Sequence, residues 1–314
     1  MRRILAVAVG PMRDMLIRSK GDLTEVRPYI QGLVEGLSSL NHHLGSDFEI
    51  NYREREHSDL EAGAGAGDAF RAADTETPHG VIFAMSTTVV RAGAADKSVP
   101  IVFPSVSDHK AEGFHRASHV TGVSPRRSQT AGECFERFLA TVPTLNEVRV
   151  LHRPGYRPAE RAWQLVKAAA RKRKITVTPI AVNSFQELQK ALLRLPKRNL
   201  GRPPQLGILV LPVDVFFSAA PSIIDIVQGQ KNLPAFFPVT DWVKPNLPSA
   251  LGGYGVPQRI CGELAAEHVA HILWSGAEAK RPPVKNAPDN AFDWAVSGAA
   301  AKALNIKLPF PRVV

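Results

Sequence analysis

The sequence predicts an α/β protein made of two doubly wound, parallel-sheet lobes joined by a three-crossover hinge. Three observations point there. Short apolar runs alternate with longer amphipathic segments, the pattern of βαβ units with parallel strands. That alternation passes twice, ending first near residue 116 and resuming at 128. Stretches rich in proline and glycine separate the series; 238–257 alone carries four prolines and three glycines, the composition of a connection rather than a core. At 314 residues the chain also exceeds the usual size of a single core, so two domains are expected.

In the first series 3–9, 47–53, 79–84 and 99–105 read as strands, with helices near 24–41 and 86–95. Over 24–41, Val26, Ile30, Leu33, Val34, Leu37 and Leu40 fall on one helical face. The segment 113–127 has the polar, turn-rich character of a crossover. In the second series 147–152, 175–182, 206–212 and 234–239 read as strands, and 128–140, 158–174, 184–195 and 215–230 as helices. After the irregular stretch 238–257 come a long amphipathic helix at 258–275, a proline-rich passage at 281–288, a short strand and a helix at 297–304. The expected domains are 1–118 with 245–279, and 119–244 with 280–314.

Composition narrows the function. With 44% hydrophobic and 22% charged residues, the chain is an ordinary globular protein. Its longest apolar runs fall far short of the roughly 20 residues of a membrane helix, so no membrane insertion is expected. The net charge of +10 gathers at Arg126-Arg127, 171–174, 196–202 and 280–285. None of these patches interleaves aromatics, so they read as solvated loops and helix ends, not as a nucleic-acid surface. Cys134 and Cys261 are too few for a zinc or redox motif and read as small core residues. In "MRRILAVAVG" the apolar run is six residues, which suits a first strand better than an export signal. The expected location is periplasmic if such a signal has been trimmed, and cytoplasmic if Met1 is the native start.

Open α/β sheets bind ligands beyond the carboxyl ends of their strands. That rule selects the loops carrying Met12 and Arg13, then Met85, Ser86 and Thr87, then Ser105 and Asp108, in the first lobe. In the second lobe it selects Arg153, Asp214 and Phe216, with Asp241 and Tyr254 in the connecting stretch. Ser86 and Thr87 open a helix whose N–H groups suit a carboxylate; Ser86 serving only as that helix's cap is the plainer alternative. Asp108 has the charge to receive an ammonium group, or it is a turn aspartate. Arg13 and Arg153 favour a carboxylate. Trp242 is either a flat apolar wall for a ligand or packing. Adjacent Asp108 and His109 lack the further ligands a metal needs. "GAGAGDAF" at 63–70 follows no strand and is not a phosphate loop. No nucleophile elbow, P-loop or metalloprotease motif occurs, so no cofactor, metal or catalytic residue is expected.

The segments "VPIVFPSVSDHKAEGF", "HVTGVSP", "LGILVLPVD" and "LGGYGVP", with the closing "FDWAVSGAAAKALNIKLP", occur in an order that resembles the bacterial ABC-transporter substrate-binding family. That family includes tryptophan- and tyrosine-type binding proteins and has the type I periplasmic-binding-protein fold. The resemblance spans nearly the whole chain. It implies a flytrap receptor without chemistry that closes on an amino acid or related organic acid and presents it to a membrane permease. Loop 84–88 would then hold the ligand's carboxylate and Asp108 its amine, with Asp214 and the Arg153 loop closing the far side. His109 stands where the family usually has proline, and Pro257 near a position that is often acidic. Two other functions fit the fold: a cytosolic metabolite sensor, and a racemase or lyase for which Asp108 and His109 are the sole acid–base candidates.

Overall fold

A computed structural model describes residues 1–9, 13–55, 80–94, 99–275 and 282–309, with no account of the side chains of residues 13, 14, 20, 24 and 25. Met12, the side chain of Arg13 and the glycine-rich 63–70 stretch therefore lie outside the described residues. Along the chain run β1 (Arg2–Val9), β2 (Arg13–Ile17), α1 (Pro28–Ser39), β3 (Phe48–Arg55), β4 (Val81–Ala84), α2 (Thr87–Gly93), β5 (Ile101–Phe103) and β6 (Val120–Ser124). There follow α3 (Ala131–Thr141), β7 (Glu147–His152), α4 (Arg157–Arg173), β8 (Thr176–Ala181), α5 (Phe185–Leu193), β9 (Leu206–Val210), α6 (Asp214–Ser218) and α7 (Ala220–Ile224). The last elements are β10 (Ala235–Phe237), β11 (Gly252–Gly255), α8 (Gln258–Trp274), β12 (Lys285–Asn286), β13 (Asp293–Val296) and α9 (Gly298–Ala303). Among the described residues no helix is long and apolar enough to cross a membrane.

The chain divides into two compact units, Met1–Pro125 with Gln258–Ala287, and Arg126–Pro257 with Pro288–Val314. Each crossing falls further along the chain than the expected 118, 244 and 279. Strand pairing explains the displacement. β6 is parallel to β5 and so stays in unit 1; β11 is tied to β10 and β13 in unit 2; β12 pairs with β6 in unit 1.

Unit 1 holds a seven-stranded sheet in the order β12-β6-β5-β4-β1-β3-β2. β1 lies inside it, between β4 and β3, and is buried from Ile4 to Val9, as expected for a strand covered on both faces. α1 starts on Pro28 at its first turn, where the missing N–H costs nothing, and buries Ile30, Leu33, Val34 and Leu37. α1 and α8 touch backbone to backbone. A Cβ on Gly32 would sit 1.8 Å from the Arg259 carbonyl oxygen, and one on Gly262 2.0 Å from that of Tyr29.

α8 also brings a buried imidazole to the sheet. His268 is fully enclosed, with Nδ1 3.0 Å from Thr121 Oγ1 on β6. Thr121 spends its own proton on the Pro282 carbonyl at 2.6 Å. Nδ1–H must therefore donate to Thr121. Burial, with the Lys285 cation, pushes the imidazole pKa from 6.5 down to about 4; His271 acts the same way and Glu267 opposes it. Unfolded chains bind this proton below pH 6.5 and the folded one does not until about pH 4, so stability falls as pH drops through that window. Urea melts are expected to show a loss on the order of 3 kcal/mol from this site across the window. His268→Gln, which keeps a donor for Thr121, is expected to flatten the slope.

Unit 2 holds a six-stranded sheet in the order β13-β11-β10-β9-β7-β8. Side chains alternate between its faces with period two. Ile208, Val210, Ala235 and Phe237 pack in one layer with Leu188, Leu192, Phe216 and Ile223 from α5, α6 and α7. Leu209, Leu211 and Phe236 pack in the other with Phe135, Phe138 and Val166 from α3 and α4.

Three expectations need correction. The supposed crossover 113–127 contains β6, and the irregular stretch 238–257 contains β11. The single helix expected at 215–230 is broken into α6, α7 and a π-helical turn over Asp225–Gln230, with Pro221 at the start of α7 unable to continue the preceding ladder.

Candidate functional site

Taking the first five parallel strands of each unit in chain order, both sheets read 2-1-3-4-5: β3-β1-β4-β5-β6 in unit 1, with β12 added parallel beyond β6, and β8-β7-β9-β10-β11 in unit 2. In such sheets the direction of winding reverses beside the first strand, and the loops there form a crevice. The relevant loops follow β1 and β4 in one unit and β7 and β9 in the other.

In unit 1, β4 delivers Met85, Ser86 and Thr87, all buried. Ser86 is extended and its Oγ accepts the Val89 N–H at 3.2 Å, so it caps α2 and keeps its own hydroxyl proton. β5 ends at Phe103 and delivers Ser105, Ser107, Asp108 and His109, none more than 6% exposed. Asp108 is 1% exposed, and its Oδ1 accepts the Ala111 N–H at 3.1 Å. That bond fixes the carboxylate at the head of a tight turn. Next to it, His109 Nδ1 is buried without a hydrogen-bond partner. Burial lowers the pKa of this imidazole, with Asp108 opposing and Lys110 and His115 acting the same way as burial.

In unit 2, β7 runs into Arg153, β9 into Asp214 and β10 into Thr240, Asp241 and Trp242. Arg153, Asp214 and Asp241 are half-buried. The Trp242 ring packs on the core of unit 2, yet its Nε1–H is buried with no acceptor. Buried donors are nearly always paired, so the unpartnered nitrogens of this indole and of His109 are what the structure adds to two residues that the sequence had already singled out.

Two predicted site residues have packing roles. Phe216 is fully enclosed in the core of unit 2 and offers no wall to a ligand. Tyr254 lies within β11, paired with Trp294 of β13. Its hydroxyl donates to Glu133 on α3 at 2.8 Å, and its ring lies 5.8 Å from that of Phe292. The expectation of solvated arginines at 126–127 also fails. Arg127 is 2% exposed, with its guanidinium 5.3 Å from the Phe217 ring centre and donating to the Val256 carbonyl at 3.3 Å. Arg126 pairs with Asp289 and lies over Phe292.

The described residues assemble little reactive chemistry. No group of three or more His, Cys, Asp or Glu side chains among them is placed to hold a metal. Cys134 sits within α3 and donates its thiol to the Phe237 carbonyl at 3.5 Å; burial pushes that thiol well above its ordinary range.

Comparison with known proteins settles the family. A family model for ABC transporter substrate binding protein matches residues 26–310. The chain belongs to that family. Such substrate-binding proteins are not enzymes, which removes the racemase or lyase alternative. The fold of this ABC substrate-binding protein is shared with a conserved domain protein from Vibrio cholerae, at a TM-score of 0.74 and 22% identity over 98% of this chain and 96% of the other. An ABC domain from Streptococcus pneumoniae, solved with L-Trp, has a TM-score of 0.72 and 17% identity over the same shares. A ligand-free, open substrate-binding protein with adhesive properties from Clostridium difficile has a TM-score of 0.58 and 18% identity over 100% and 98%. These likenesses establish a type I periplasmic-binding-protein-like fold. No curated protein sequence matches the chain significantly.

Proposed function

We propose that this substrate-binding protein captures a small zwitterionic or carboxylate-bearing molecule, an amino acid or a related organic acid, for an ABC importer. The observation that carries the reading is Asp108, a carboxylate 1% exposed and pinned by a backbone N–H at the carboxyl end of a parallel strand. A carboxylate held in that place has the charge to receive an ammonium group of the ligand. Arg153, with the hydroxyls of Ser86 and Thr87, would receive the ligand's carboxylate. Trp242 would add an apolar surface and one N–H. The L-Trp bound to the pneumococcal neighbour supports an amino-acid-sized ligand.

Isothermal titration calorimetry against the amino acids and their deaminated acids tests it. At least one zwitterion is expected to bind with micromolar or better affinity, and a panel without any binder would sink the proposal. Trp242→Phe removes the N–H together with part of the indole's apolar face and is expected to weaken the identified ligand about tenfold.

A further inference from the structure

Residues 157–174 carry seven Lys and Arg side chains against one Glu, a net +6 in a chain of net +10. They form α4 and the residue after it. The helix buries Ala159, Ala162, Val166, Ala169 and Ala170 and turns Arg171, Lys172, Arg173 and Lys174 to solvent. Among the described residues Arg171, Lys172 and Lys174 have no acidic partner. More than half the molecule's excess charge thus rides on one helix of unit 2.

Beside that helix lies a groove of about 610 Å³ between α3 and α4. Small residues, Gly132, Ala140 and Ala168, leave it open, and Leu165, 36% exposed, offers an apolar anchor. Its charged lining is Glu133, Glu136, Arg137, Lys172 and Arg173. Glu136 is already bound by Arg173 at 2.8 Å. Arg137 is held over the Trp294 ring at 4.6 Å and the Tyr254 ring at 5.6 Å, which fixes its position without neutralising it. The groove is net positive, and the unpaired end of α4 extends that field.

We propose that the α3–α4 groove of unit 2 docks an acidic, amphipathic segment of a partner protein. An exposed leucine in a small-residue groove suits the apolar ridge of such a segment, and the Arg137 and Lys172 rim suits its carboxylates. A lipid surface is flat and would meet only the convex side of α4, leaving the groove unused. The patch lacks the alternating aromatics that nucleic-acid bases stack on. This inference does not depend on the ligand's identity.

The test places the photo-crosslinker p-benzoylphenylalanine at Leu165 in the full chain, expressed in its own cells, with the crosslinked peptides mapped by mass spectrometry. The expected product joins Leu165's position to a net-acidic segment of another protein. Lys172→Glu combined with Arg137→Glu should reduce it tenfold or more, while Lys172→Arg retains it. Arg137→Glu gives up the contacts to the Trp294 and Tyr254 rings, so Lys172→Glu alone, at an exposed side chain, is the variant that should melt with the parent while still weakening the crosslink. Crosslinks that are no stronger than from exposed Leu247, that join lipid or a second copy of this chain, or that persist after charge reversal would overturn the proposal. So would binding to phosphatidylglycerol vesicles that the same reversal abolishes.

Discussion

Asp108→Asn is expected to cost about 100-fold in affinity for an ammonium-bearing ligand, ~3 kcal/mol. The asparagine carbonyl can still accept the Ala111 N–H that Asp108 holds at 3.1 Å, so the turn survives and only the charge is lost. A buried cation left without its counter-ion accounts for the size of the effect. The deaminated analogue of the same ligand carries no ammonium and is expected to gain nothing from Asp108. Its affinity for the variant should therefore equal or exceed that for the parent. Calorimetry on the two compounds separates recognition from folding. Equal affinity of parent and variant for the zwitterion would reduce Asp108 to a turn residue.

Gly122→Ala is expected to be the most damaging single methyl in unit 1. Gly122 has φ near +144°, a region open essentially to glycine. A Cβ there would lie 2.0 Å from the Phe103 carbonyl oxygen and 2.7 Å from the Phe103 nitrogen. Those are backbone atoms of the neighbouring strand, so β5 and β6 would have to separate where the Asp108 loop begins. A loss of roughly 3–5 kcal/mol is expected in urea melts. Gly155→Ala is the control: its φ is +75° but nothing lies within 4 Å of the new methyl. That variant should cost about 1–2 kcal/mol from backbone strain alone. Equal losses in the two would refute the steric argument.

How far the sequence could be read follows from where its signals are local. β1, β4 and β9 announce themselves as apolar runs because both their faces are covered, and α4 and α5 show their cores through helical spacing. β6 is harder: Val120 and Val123 are its only large apolar residues, and Gly122 sits between them. Three of β11's four residues are glycine, a loop signal by every local rule, and only contact with β10 and β13 makes it a strand. The candidate site divides in the same way. Asp108 was legible because it follows an apolar run at the edge where α/β sheets bind ligands. The enclosed Trp242 N–H and the burial of Arg127 arise from residues distant in sequence. Phe216 shows the converse, since its place after a strand resembles a ligand wall until helix packing encloses it.

The backbone contact between α1 and α8 has a consequence for synthesis. Gly32 belongs to the first helix made, and the Arg259 backbone that covers it emerges more than two hundred residues later, after β7–β11 of unit 2. On the ribosome, unit 1 therefore waits with one helix bare while the whole parallel sheet of unit 2 is being made. A nascent chain arrested at Pro257 would hold strands β1–β6 without the helix that closes over α1. Such a chain is where a holdase chaperone has most to protect, and the exposed target is the glycine-lined face of α1.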